Sequence, residues 1–206
     1  MNLVQRIQDI VIKPKETWPA IAQEQADTAS IYTNYLIYLA AIPAVAGFIG
    51  MSLIGAGFFG VSMRVPLLSG LVNMIVSYVL SLGMIFVLAL AVDALAPTFG
   101  GTKSQINALK LMAYGSTASF LGGIFALIPS LAVLGILASL YSVYLIYTGL
   151  PELMKCPPEK TVAYTVTILV CGLVAGVILG AISGAMMPMR GFRIGSGPLD
   201  LFTGIA

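Results

Sequence analysis

Long apolar stretches alternate with short polar interruptions along most of this chain, and the interruptions divide it. A helix needs about 20 predominantly apolar residues to cross the hydrocarbon of a bilayer. Five stretches reach that length: Ile31–Gly57, Ser69–Ala96, Leu109–Ile128, Leu131–Leu150 and Val162–Met187. The segments "SMRVP", "PTFGGTKSQIN" and "PELMKCPPEKT" part the first span from the second, the second from the third and the fourth from the fifth. Only Pro129 and Ser130 lie between the third and fourth, which predicts a tight hairpin there.

Residues 1–30 follow a different rhythm. Leu3, Val4, Ile7, Ile10 and Val11 fall on one face of a helix, with Gln5, Arg6, Gln8 and Asp9 opposite. Pro14 ends that run, and Thr17 is placed to cap a second short helix opening "TWPAIAQEQ". Amphipathic pieces of this kind lie flat on a membrane or on the inner faces of a bundle, and Trp18 is a natural interfacial anchor. The segment has no continuous apolar core ahead of a small-residue cleavage site, so the first long span is expected to direct insertion. The fold class is therefore an all-α membrane protein, a bundle of five transmembrane helices (residues 31–187) preceded by an amphipathic N-terminal segment (1–30). A flexible, outward-facing tail (188–206) follows.

Composition agrees. Of 206 residues, 59% are hydrophobic and 9% charged, and the mean hydropathy is +1.00. A water-soluble domain carries about 25% charged residues. The net charge of +2 gives no reason to expect nucleic acid as a partner. With no histidine, imidazole metal ligation and a histidine general base are excluded. Cys156 and Cys171 stand in a loop and an apolar run and read as two isolated thiols. No nucleophile–base pair, metal-ligand spacing or phosphate loop is present, so catalytic residues, metals and cofactors are all expected to be none.

Lysine and arginine counts give a direction. With the N-terminus inside, inner segments hold Arg6, Lys13, Lys15, Lys103, Lys110, Lys155 and Lys160, and outer segments hold Arg64, Arg190 and Arg193. The excess predicts a cytoplasmic N-terminus and a periplasmic C-terminus. Tyr32, Tyr35, Tyr38, Tyr114, Tyr141, Tyr144, Tyr147 and Tyr164 fall toward the inner ends of the spans, either as an interfacial belt or as the lining of an inner cavity or docking surface.

The polar residues inside the spans are the candidates for function. Asp93 is the only acidic residue within a span. A charge at the bilayer centre costs roughly 3 kcal/mol on insertion scales. Asp93 is expected to sit near the inner interface and meet Lys103 or Lys110, or to sense protons or ions. Asn73, Ser77 and Ser81 recur every four residues on the second span, as interhelical hydrogen bonding or a substrate path. In the last span Gly172, Gly176, Gly180 and Gly184 form a slowly winding groove. Small residues let helix backbones approach in lipid, so a partner is expected there, from the same bundle or from another protomer. Gly115, Ser119 and Gly123, and Gly135 and Ser139, are the candidate partners within the chain.

"NLVQRIQDIVIKPKETWPAIAQEQ", "IYTNYLIYLAAIPAVAGFIG", "TKSQINALKLMAYGSTASFLGGI" and "YSVYLIYTGLPELMKCPPEKTVAYTV", in that order, resemble the bacterial branch of the Yip (Ypt/Rab-interacting protein) family over residues 1–187. The family's proline after the tyrosine motif is missing, since "YGSTASF" runs on without one. The resemblance implies a five-helix membrane domain with a cytoplasmic N-terminus. Eukaryotic relatives bind Rab-type GTPases, but the long N-terminal region and motif of those relatives are missing, and Rab binding is not carried over. The expected function is a non-enzymatic inner-membrane scaffold or membrane-organising protein whose partners are the bilayer, itself or other membrane proteins. The competing reading is a small transporter or lipid-handling protein using Asp93, the Asn73 stripe and Tyr114. A hydrated cavity reaching Asp93 would favour the second.

Overall fold

The computed structural model describes residues 2–54, 56–58, 61–63, 66–128 and 131–186. The tail 188–206 and the surroundings of Gly184 lie outside the described residues.

The chain opens with two short helices, α1 (Leu3–Ile12) and α2 (Pro14–Gln23). Asn2 caps α1, its side chain accepting from the Val4 amide. The proline that ends the first run begins the second helix, because its fixed φ and missing N–H suit a first helical turn. Thr17 is therefore not a cap, contrary to expectation. It sits inside α2, and its hydroxyl lies 3.0 Å from the Asp9 carbonyl and 2.8 Å from that of Lys13, clasping the end of α1.

Asp27 and Ser30 form a capping box that starts α3 (Thr28–Ile54), the first membrane-length helix. Its helix widens to π geometry at Tyr32–Leu36 and again at Ile49–Ile54. Two short antiparallel strands follow, β1 (Ala56–Phe58) and β2 (Val61–Met63), paired Ala56 with Met63 and Phe58 with Val61. The periodicity of an apolar run does not distinguish such a ribbon from the end of a span, and sequence reading placed none here.

α4 (Leu67–Leu95) is the second long helix, closed by a 3-10 turn at Ala96–Phe99 and by Gly100, whose φ of 75° ends it. α5 (Gln105–Gly115) and α6 (Thr117–Gly122) come next, then a 3-10 segment at Gly123–Leu127. α7 (Ala132–Met154) and α8 (Pro158–Met186) complete the described chain.

Four helical segments are long and apolar enough to cross a membrane: Thr28–Ile54, Leu67–Phe99, Val133–Met154 and Pro158–Ile182. The stretch expected as a third uniform span, 109–128, is instead built from three stacked pieces, so the number of full-length helical spans among the described residues is four rather than five. The break falls at Ser116, directly after Tyr114 and Gly115, without the family's proline. The Thr117 hydroxyl reaches back to the Tyr114 carbonyl and secures the turn. This region is the core of the molecule. Every residue from Ala108 to Gly115 is buried, enclosed by α3, α4, α7 and the N-terminal helices. A helix so enclosed keeps no lipid-facing stripe.

The glycines of the core lie where backbones approach. A Cβ at Gly122 would stand 2.3 Å from the Ala138 methyl, and one at Gly115 would stand 2.6 Å from Ile146, so α5 and α6 press against α7. At Gly172, Gly176 and Gly180 a Cβ would meet nothing within 4 Å. The expected intra-bundle contact at this groove is thus absent among the described residues. The candidate partners Gly115, Gly123 and Gly135 are taken up elsewhere, by Ile146, Pro43 and the Gly122 carbonyl.

Candidate functional site

Among the described residues, a cluster of charged and hydrogen-bonding side chains lies where α1 and α2 dock on the bundle. α2 packs along α7. Trp18 is fully buried there, and its indole N–H donates to the Thr148 hydroxyl at 3.1 Å. The neighbouring residue must be glycine, since a Cβ at Gly149 would stand 2.7 Å from both the Trp18 ring and Leu111. Trp18 is therefore a core residue and not the interfacial anchor expected of it. Ile10 and Ile21 are equally buried, and the Tyr141 hydroxyl donates to the Val11 carbonyl at 2.6 Å.

Three charged residues sit within this dock. Lys110, only 2% exposed, extends from α5 and donates to the carbonyls of Ile21 (2.9 Å) and Glu24, at the C-terminal end of α2. A cation there answers both the open carbonyls and the negative end of the helix dipole. Arg6 pairs with the Glu24 carboxylate and places its guanidinium 5.7 Å from the centre of the Tyr114 ring. The Arg6 Nη1 is buried without a partner. Behind Tyr114, Tyr35 packs at 4.6 Å between ring centroids, and its hydroxyl lies 2.7 Å from that of Thr117. Two cations and one carboxylate are thus held by backbone carbonyls and aromatic faces. The arrangement fastens the N-terminal helices, and no nucleophile is set against a base within it.

Of the polar residues put forward as functional candidates (Asp93, Asn73, Ser77, Ser81 and Tyr114), only Tyr114 belongs to this cluster. Asp93 lies elsewhere, on α4, with its Oδ1 buried and unpartnered. The expected pairing with Lys103 or Lys110 does not form, because Lys110 is committed to α2; the ion pairs among the described residues are Arg6–Glu24 and Lys13–Glu16. Beside Asp93, the Tyr164 hydroxyl donates to the Val92 carbonyl, and the ring stacks on Phe99 at 4.7 Å. The polar stripe of the second span also divides. The hydroxyls of Ser77 and Ser81 bond back to the Met74 and Tyr78 carbonyls of their own helix, at 3.0 and 2.8 Å, while Asn73 faces a cleft against α3. That cleft and the one adjoining it do not reach Asp93. The tyrosines split as well. Tyr32, Tyr35, Tyr141 and Tyr164 spend their hydroxyls inside the protein, whereas Tyr38, Tyr144 and Tyr147 are exposed.

Sequence reading missed Arg6, Glu24, Lys110 and Thr117 as members of one cluster. Arg6 was assigned to the polar face, yet it stands three residues after Leu3 and four before Ile10, on the side that α1 buries. Lys110, at the start of the expected third span, reads from sequence as an inner-segment charge and a candidate partner of Asp93, and its actual partners at the end of α2 lie far away in sequence. Among the described residues no group of three His, Cys, Asp or Glu side chains is placed to hold a metal ion.

Comparison with known proteins bears on the whole fold. The Yip1 domain matches residues 9–179. The chain is 26% identical over 163 residues to the inner membrane protein YohC of Escherichia coli K12, covering 77% of this chain and 84% of that protein. The YohC of Escherichia coli O6:H1 matches to the same extent. No solved structure matches.

Proposed function

The chain belongs to the Yip1-domain family, and from that premise we propose that it works as a non-enzymatic scaffold of the inner membrane. In this reading it organises other membrane proteins or further copies of itself, with its N-terminal helices at the cytoplasmic face. The observation that carries the reading is the dock of α1 and α2. Trp18, Ile10 and Ile21 fill one end of the bundle, and Lys110 and Arg6 fasten them there. That end is closed by protein, which suits a fixed surface presented at the membrane. A path for solutes along α4 finds less support, because Ser77 and Ser81 are bonded to their own helix.

The test is a photo-reactive side chain placed at exposed Lys15 of α2 or exposed Val177 of α8, irradiated in intact membranes. Discrete protein adducts are the expected result at one or both positions. Adducts with lipid alone at both, together with solute flux in proteoliposomes of the purified chain, would overturn the scaffold reading.

A further inference from the structure

Four buried side-chain polar atoms in the described structure have no hydrogen-bond partner: Arg6 Nη1, Ser52 Oγ, Asn73 Oδ1 and Asp93 Oδ1. Two of these four, Ser52 Oγ and Asn73 Oδ1, belong to side chains lining one cavity between α3 and α4, of about 80 Å³. An unmet buried polar group carries its full desolvation penalty, so two in one cavity mark a place where partners are missing. Ser52 is 8% exposed and belongs to the π-helical turn Ile49–Ile54. Such turns interrupt the regular ladder and recur at functional sites.

The helices separate just enough to leave this space. Gly70 lets Ser52 lie against α4, since a Cβ at position 70 would stand 2.1 Å from Ser52 Oγ and 3.2 Å from the Phe48 ring. On the α3 side, a Cβ at Gly47 would meet nothing within 4 Å. Ser77 also lines the cavity, and because its hydroxyl donates to its own helix, its oxygen lone pairs remain free to accept. The side chains bordering the cavity thus carry two hydroxyls and a carboxamide, with Ser52 Oγ and Asn73 Oδ1 shielded and unpaired. No charged side chain lines it among the described residues.

A second cleft shares Asn73 and is bordered by Leu68, Ser69 and Val72. Leu68 and Val72 are exposed, 76% and 46%, on the outer face of α4. A 29-residue helix is about 43 Å long against about 30 Å of hydrocarbon, and Asn73 lies about 9 Å from its N-terminal end. If α4 is centred in the bilayer, Asn73 falls at the boundary where the glycerol portion of a lipid lies.

We infer that the cavity bordered by Ser52 and Asn73 binds the uncharged hydroxyl of a glycerol-based lipid, whose chains run over Leu68 and Val72. The hydroxyl donates to the Asn73 carboxamide oxygen and accepts from Ser52 once these two side chains, whose unpaired atoms are shielded in the structure, turn toward it. The apolar rim favours an amphiphile over a free polyol.

The test measures thermal unfolding of the purified full chain in detergent, titrated with 1,2-dioleoylglycerol, dioleoylphosphatidylcholine or free glycerol. Dioleoylglycerol should raise the midpoint saturably, and the two others should do so little at matched concentrations. Ser52→Ala and Asn73→Leu should each weaken the response by roughly tenfold, the scale of one buried hydrogen bond left unmade. Ser81→Ala, on the same helix but outside the cavity, should respond like the parent. A variant with a lowered starting midpoint is checked by labelling with a photo-reactive diacylglycerol, which should mark the α3 and α4 peptides bordering the cavity in the parent and not in the variant. Equal stabilisation by phosphatidylcholine, which has no free hydroxyl, would leave tail contact alone and overturn the inference. An equal effect of glycerol would replace the lipid with a polyol, and undiminished binding to both variants would place any ligand elsewhere.

Discussion

Gly149 and Gly176 are both glycines in long apolar helices, one on α7 and one on α8, yet their surroundings are opposite. A Cβ at Gly149 would be driven into Trp18 and Leu111, whereas one at Gly176 would touch nothing within 4 Å. The contrast extends to the regions around them. The dock around α7 holds an unbroken set of fully buried residues (Trp18, Ile21, Leu150, Leu153 and Met154), while Leu173, Val174 and Val177 of α8 are all more than half exposed. A glycine spaced at four in a membrane helix therefore signals a permitted approach. Whether the approach is made, and by which element, depends on residues far away in sequence.

If the dock is a genuine core, emptying it should produce the largest effect. Trp18→Ala removes the largest buried side chain there together with its hydrogen bond to Thr148. Large-to-small changes of this kind cost about 3–5 kcal/mol. The expected outcome is a clear fall in the unfolding midpoint measured by circular dichroism in detergent, with new proteolytic cleavage near Lys13 and Lys15. Ile12→Ala, at a position 72% exposed on α1, serves as the control and should change little. Equal behaviour of the two variants would return α1 and α2 to the membrane surface.

Next in size is Gly149→Ala. The added methyl would stand 2.7 Å from the Trp18 ring and from Leu111, both fully buried and with little room to yield. Overpacking of this order costs about 1–3 kcal/mol. In the double variant with Trp18→Ala the methyl should be accommodated, so the two effects should fall well short of additive. Additive losses would mean that Gly149 matters for a reason other than its contact with Trp18.

How much of this was legible in the sequence follows from the same contrast. Four of the spans read as apolar runs were found at membrane length, with their ends displaced by a few residues, because run length is a local property. The α1 helix and the proline boundary were legible for the same reason. The third span is not found as one continuous helix, and enclosure is not local: nothing in "NALKLMAYG" reveals that its residues are surrounded on all sides. The absent proline suggested an unbroken helix, but a threonine hydroxyl and a tyrosine from α3 stabilise the break at Ser116 instead. The true partners of Arg6 and Lys110 were not legible because the groups that answer them lie 18 and more than 80 residues away.

The charged fasteners should separate in a telling order. Lys110→Met keeps the length of the side chain but strands the Ile21 and Glu24 carbonyls in a buried setting, at a cost of about 1–3 kcal/mol. Arg6→Leu should cost less, within about 1 kcal/mol. Its partner Glu24 has a side chain 41% exposed and can be solvated, and the variant also removes the unpartnered Nη1. Protease sensitivity around Pro14, followed with the unfolding midpoint, should therefore rise more for Lys110→Met than for Arg6→Leu. The reverse order would make the ion pair, rather than the helix-end contact, the principal fastener.

The smallest effect on the chain itself is expected on α8. Gly176→Leu adds four heavy atoms to a face that meets no other element of the described structure, so no overpacking cost arises within one copy. Leucine is also the better helix former, by up to about 1 kcal/mol, so the unfolding midpoint should stay level or rise slightly. Gly180→Leu should behave alike, and the exposed Ile178→Leu provides the baseline. Any larger consequence must then come from outside the chain. Under the scaffold reading, leucine at Gly176 blocks the close approach of another helix, and the variant should show a smaller particle in detergent or lose the protein adducts formed at Val177. A stability lowered by about 1–3 kcal/mol in a particle of unchanged size would instead mean that a helix of the same chain occupies the groove. An unchanged midpoint with unchanged size and adducts would leave the groove to lipid, and the face of α8 would then contribute nothing to assembly.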